Sequence, residues 1–145
     1  MKTFVFHPKG IVVVDGDTIQ CTALDLGLGF GKMTPTNIRI NGIDAPESGT
    51  HGSHTVGPRE KSCGLKVKAI VERWFQQNPD SVLFSLSWDG SADKYGRVLG
   101  DFGLINIGPM LSSYLLANKL ARPYGGEKKT LWLDQELATI ESFKV

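Results

Sequence analysis

Two cysteines, Cys21 and Cys63, are too few for a disulfide framework or a four-cysteine zinc site, and both are expected to be reduced and buried. No run approaches the roughly 20 consecutive apolar residues of a membrane span. The start, Met1 to Pro8, is stopped by Pro8 before a secretory apolar region can form, so a cytoplasmic protein is expected. Charge of one sign is also missing. The chain has 16 basic and 15 acidic residues and a formal charge of +1, whereas a protein that coats duplex nucleic acid is usually strongly basic. Any binding of a polyanion must therefore be local. With 17 glycines and 7 prolines in 145 residues, and apolar residues along the whole length, the chain is no low-complexity segment. Residues 1–145 read as one domain with a buried core, and the absence of an apolar heptad pattern makes a monomer the expectation.

Val12 to Val14 and Thr18 to Thr22 read as strand segments broken by Asp15-Gly16-Asp17, which places two carboxylates at a bend. Gly27 to Thr36 reads as a loop. Asn37 to Asn41 alternates with period two, so Ile38 and Arg39 face opposite sides of a strand. Ser48 to Gly57, rich in Gly, Ser, Thr and His, reads as a second loop. Pro58 then opens a helix in which Cys63, Val67, Ile70, Val71 and Trp74 recur at helical spacing, leaving Lys61, Lys66, Lys68 and Arg73 outward. Val82 to Trp88 and Tyr95 to Phe102 read as strands joined through the turn formers of Asp89 to Asp93, and Pro109 to Asn118 and Leu131 to Phe143 read as helices. This order predicts an α+β domain, mainly β, as a small barrel with helices packed against it.

The acids Asp15, Asp17, Asp44 and Glu47 fall in two turn-rich clusters, and Arg39 and Arg97 sit on strands beside such turns. Carboxylates on tight turns can present several oxygens to one hard divalent cation, although acids beside glycine in loops are mostly solvated turn residues. Arginine suits phosphate because its donor fork is rigid and always charged. His51 and His54, even with Cys63, lack a fourth zinc ligand at a suitable spacing, and Cys63 belongs to the apolar helix face. Lys119, Arg122, Lys128 and Lys129 form a basic run that can track a phosphate backbone beside Tyr124.

Three segments, Val14-Asp15-Gly16-Asp17-Thr18, Ile38-Arg39-Ile40-Asn41-Gly42-Ile43-Asp44-Ala45-Pro46-Glu47 and Asp93-Lys94-Tyr95-Gly96-Arg97, resemble in order the signature of the staphylococcal nuclease (thermonuclease) family. Leu120-Ala121-Arg122-Pro123-Tyr124-Gly125-Gly126, the following basic pair and Trp132 look like the tail of its intracellular bacterial and phage members. The resemblance implies a five-stranded OB-fold barrel with three packed α-helices. It also implies a Ca²⁺-dependent endonuclease that hydrolyses DNA and RNA, single-stranded or locally open, with little sequence preference. On that resemblance Asp17, Asp44 and the Ala45 carbonyl hold Ca²⁺, with Asp15 behind them. Glu47 is the general base or water-orienting group, Arg39 and Arg97 hold the scissile phosphate, and Lys94, Tyr95 and Tyr124 line the nucleotide site. The archetype has threonine at the position of Ala45, and lysine in the loop where this chain has His51 and His54. The competing class is a non-catalytic OB module that binds single-stranded nucleic acid or a protein. Such a degenerate module is expected to lose some of Asp17, Arg39, Asp44, Glu47 and Arg97, and all are present.

Overall fold

The computed structural model describes residues 3–49, 56–85 and 97–145. Strands β1 (Phe4–Lys9), β2 (Val12–Asp15), β3 (Thr18–Cys21), β4 (Ala23–Gly27), β5 (Phe30–Lys32), β6 (Thr36–Ile40) and β7 (Ile43–Asp44) precede helix α1 (Pro58–Gln77). After it come β8 (Val82–Ser85), β9 (Val98–Gly103), α2 (Leu111–Ala117), β10 (Arg122–Pro123) and α3 (Asp134–Ser142). The fold is thus α+β and mainly β, as the pattern predicts. Eight strands form one mostly antiparallel sheet in the order β2-β3-β6-β9-β8-β1-β4-β5, in which β6 and β9 run parallel; β7 and β10 form a separate short ladder.

Five strands, β1, β4, β5, β7 and β10, lie where the sequence pattern indicates none, and β1 and β5 show why. In β1, His7-Pro8-Lys9 breaks the alternation. The strand changes partner there, with Phe4 to Phe6 paired to β8 and His7 to Lys9 paired to β4. The expected loop from Gly27 to Thr36 contains β5. Gly27, Leu28 and Gly29 turn the chain through positive φ, and Gly31 then pairs with Asp25. A Cβ on Gly31 would lie 2.3 Å from the Leu24 carbonyl oxygen. Its glycine therefore permits a close strand pair, and a composition that reads as loop serves a hairpin.

Helix α1 buries Cys63, Gly64, Val67, Ile70, Val71 and Trp74, the expected stripe with Gly64 added. Lys66 does not point to solvent as expected: its ammonium donates to the carbonyls of Glu141 (2.9 Å) and Phe143 (2.6 Å) at the end of α3. Arg59 ties the same helices together through Asp134 (3.2 Å) and Glu141 (2.8 Å), and its hydrogen bond lowers the Glu141 pKa. Both later helices are shorter than the spacing predicts. Asp101 holds the start of α2 by accepting from the Ser112 amide (3.1 Å) and hydroxyl, and burial raises its pKa. In α3 the Glu136 carboxylate accepts from the Leu133 amide at 2.8 Å, which stops the helix short of Leu131.

One core cluster joins the sheet to all three helices, with Phe6, Ile19, Ile38, Val67, Phe102 and Leu115 fully buried in it. Each such side chain contributes about 1.5–3 kcal/mol by leaving water. Cys21 and Cys63 are free and buried. Burial pushes the Cys21 thiol up to about 11, so it stays neutral and packs as a small apolar group. Among the described residues no helix is long and apolar enough to cross a membrane.

Candidate active site

The turn from β2 to β3 carries Asp15 and Asp17, both buried. Gly16 between them is sterically required, since a Cβ would lie 2.5 Å from Val67 Cγ1 and 3.0 Å from Ala45 Cβ. The turn is thereby pressed onto α1 and onto the chain leaving β7. Across the β3–β6 ladder Thr18 stands opposite Arg39, which brings the guanidinium to Asp17. Arg39 is only 5% exposed. Its Nη1 lies 3.3 Å from Asp17 Oδ2 and donates to the carbonyls of Asp17 (3.3 Å) and Ile40 (3.4 Å). Its Nη2 stands 4.0 Å from Asp44 Oδ1 and makes no hydrogen bond among the described residues.

Asp17 is further held by the Thr18 hydroxyl on Oδ1 (2.9 Å) and the Ala45 amide on Oδ2 (2.8 Å). Burial raises its pKa above the ordinary aspartate value; Arg39 opposes that shift, and Asp44 adds to it. Asp44 sits opposite Arg122 in the β7–β10 ladder. Arg122 Nε and Nη2 both lie 3.0 Å from Asp44 Oδ2, and Lys129 Nζ lies 3.1 Å from Oδ1. The Arg122 guanidinium is 4.1 Å from the Trp132 ring centroid and donates to the carbonyls of Thr130 and Leu131. Tyr124 is anchored by its amide to Gly42 O (2.9 Å), and its ring lies 5.8 Å from Arg39 and 5.6 Å from Lys129.

These groups surround a cleft of about 680 Å³. Of the residues singled out in the sequence, Arg39, Asp44, Ala45, Glu47, Arg97 and Tyr124 line it. Asp17 stands behind that wall, bonded to Ala45, and Asp15 accepts from the Ser48 amide (3.0 Å) and hydroxyl, which holds the chain just past Glu47. Lys94 and Tyr95, and the histidines His51 and His54, lie outside the described residues. The cleft also contains Glu60, Arg122, Lys128, Lys129 and Trp132, to which sequence reasoning assigned no individual role. The basic run was the available signal for Arg122 and the lysines. Glu60 has no local signal, because its place depends on how α1 meets the Glu47 segment.

Among the described residues no three His, Cys, Asp or Glu side chains form a group able to hold a metal ion by themselves. The donors nevertheless suit a hard divalent cation in kind. Asp17 and Asp44 offer carboxylate oxygens, and the cost of keeping Asp17 ionised beside Asp44 falls when positive charge is added. The Lys129 ammonium already supplies part of that charge at Asp44. No protein-family model matches the chain, and no curated protein matches it.

Proposed function

We propose that this chain is a Ca²⁺-dependent phosphodiesterase of the staphylococcal nuclease type, acting on DNA and RNA from a five-stranded OB-fold barrel. The barrel reading is supported by the strand breaks. Only Gly10 and Ile11 separate β1 from β2, and only Thr22 separates β3 from β4. The Thr22 amide bonds to the Lys9 carbonyl across both breaks at 2.8 Å. If each pair is one bent strand, and β5 with β6 another, then every strand has two neighbours and the β8–β1 pairing completes the circuit.

The observation that carries the activity is Arg39: a buried guanidinium whose Nη2 makes no hydrogen bond among the described residues, at the wall of a cleft also lined by Arg97, Arg122 and two lysines. Such a donor fits a nonbridging phosphate oxygen, and a forked donor opposes the charge that develops during phosphoryl chemistry. In this reading Arg39 and Arg97 hold the phosphate. Glu47 takes a proton from a water whose oxygen attacks phosphorus in line. The bond to the 5′-oxygen breaks, that oxygen gains a proton from solvent, and a 3′-phosphate remains on the other product. Asp17, Asp44 and the Ala45 carbonyl would hold Ca²⁺, which when bound supplies positive charge to the phosphate. Tyr124, with Lys94 and Tyr95, would line the nucleotide site, where stacking tolerates any base.

The test is cleavage of a quenched fluorescent single-stranded DNA with Ca²⁺ or with excess EGTA. Cleavage in Ca²⁺ alone is the expected result. Binding by anisotropy without cleavage in either condition would refute the enzyme and leave an OB-type binding module. A second expectation concerns the cation already on Asp44. Lys129→Met should tighten Ca²⁺ binding about tenfold by calorimetry, because a half-exposed ammonium competes with the metal for the same carboxylate. Equal or weaker binding would remove Lys129 from competition.

A further inference from the structure

Gly64 lies in the interior of α1, where glycine costs about 1 kcal/mol relative to alanine. The reason for it is a close backbone crossing. A Cβ on Gly64 would fall 2.3 Å from the Glu47 carbonyl oxygen, 2.4 Å from its carbon and 2.7 Å from the Ser48 nitrogen. The Glu47 segment therefore rests directly on the helix. One turn earlier on α1, Glu60 Oε2 accepts a hydrogen bond from the Glu47 amide at 3.2 Å. From the other side Asp15 accepts from the next amide, Ser48, at 3.0 Å. Two consecutive amides are thus gripped by two carboxylates from different elements, where the Glu47–Ser48 backbone crosses α1 at Gly64.

We infer that Glu60 is a positioning residue for Glu47: it fixes the Glu47 backbone against α1, so that the Glu47 side chain is presented to the cleft from a segment braced by the helix. This rests on the nuclease reading for its catalytic consequence. Its structural content does not depend on that reading. Glu60 lines the same cleft, so the rival role is a second carboxylate that itself handles a proton or a cation. The two roles differ in what they need from the side chain. Positioning needs only an acceptor oxygen, which glutamine retains; proton or cation handling needs the negative charge, which glutamine lacks.

The experiment compares the parent with Glu60→Ala and Glu60→Gln in steady-state cleavage of the single-stranded DNA, and follows exchange of the Glu47 amide proton by NMR in the same three proteins. A misplaced group loses rate rather than binding. Glu60→Ala is expected to lower kcat about tenfold with KM within about twofold of the parent, and Glu60→Gln to restore kcat to within about threefold. Exchange at Glu47 should be about tenfold faster in Glu60→Ala than in the parent and return in Glu60→Gln. If Glu60→Gln is as impaired as Glu60→Ala, the charge matters and the positioning role is overturned. Unchanged Glu47 exchange in Glu60→Ala overturns it as well. A parent that cleaves nothing defeats the nuclease reading, and the exchange measurement still decides the role of Glu60.

Discussion

Arg39→Ala is expected to lose about 3 kcal/mol of stability as well as nearly all cleavage. A buried charge stripped of its partner is among the costliest single changes, commonly about 3–5 kcal/mol. Arg39 is such a partner: it lies between Asp17 and Asp44, and its removal leaves the Asp17 carboxylate with the Thr18 hydroxyl and the Ala45 amide as its hydrogen-bond donors. Asp44 keeps Arg122 and Lys129, so the loss is concentrated on Asp17. The pH dependence follows from the sign of the shift. The folded Asp17 pKa already lies above the ordinary value because of burial, so its ionisation costs stability as pH rises through that window. Without Arg39 the cost grows, and protonation relieves it. The gap in Tm between parent and variant should therefore narrow as the pH is lowered from neutrality. A gap that widens on acidification, or a variant as stable as the parent, would show that Arg39 is not the counter-charge of Asp17. Arg39→Lys should recover part of the stability but little of the cleavage, since a single ammonium lacks the fork.

Glu47→Gln is expected to reduce kcat by at least about two orders of magnitude while DNA binding, read by anisotropy, stays near that of the parent. The amide keeps the size of the side chain, and the backbone bond to Glu60 does not involve the part that changes. What disappears is the proton acceptor. Cleavage within about tenfold of the parent, in a folded variant, would remove Glu47 from the proton transfer and require another base in the cleft.

Much of the architecture is legible in local pattern. The stripe of Cys63, Val67, Ile70, Val71 and Trp74 specifies both α1 and the face it buries, and the alternation around Ile38 specifies β6. β1 is hidden because Pro8 and a change of pairing partner interrupt its period, and β5 because Gly31 serves strand approach while Gly27 and Gly29 make the turn of a hairpin rather than a long loop. The same division holds for the cleft. Asp17, Arg39 and Asp44 are few residues from turns whose composition is conspicuous, and they meet in space. Glu60 and Arg122 reach the cleft only through tertiary contacts, and no window of sequence contains the two sides of those contacts.

The two-residue ladder of β7 with β10 has a bearing on assembly order. Asp44 and Arg122 are 78 residues apart, so the carboxylate is formed early in the chain and acquires its arginine cap only when a distant segment closes a long loop. Loop closure of that span is entropically expensive and slow compared with forming a hairpin such as β2–β3. The cleft should thus mature after the hairpins. In a refolding experiment, formation of the Arg122–Asp44 contact, with Arg122 over the Trp132 ring, would mark that late step.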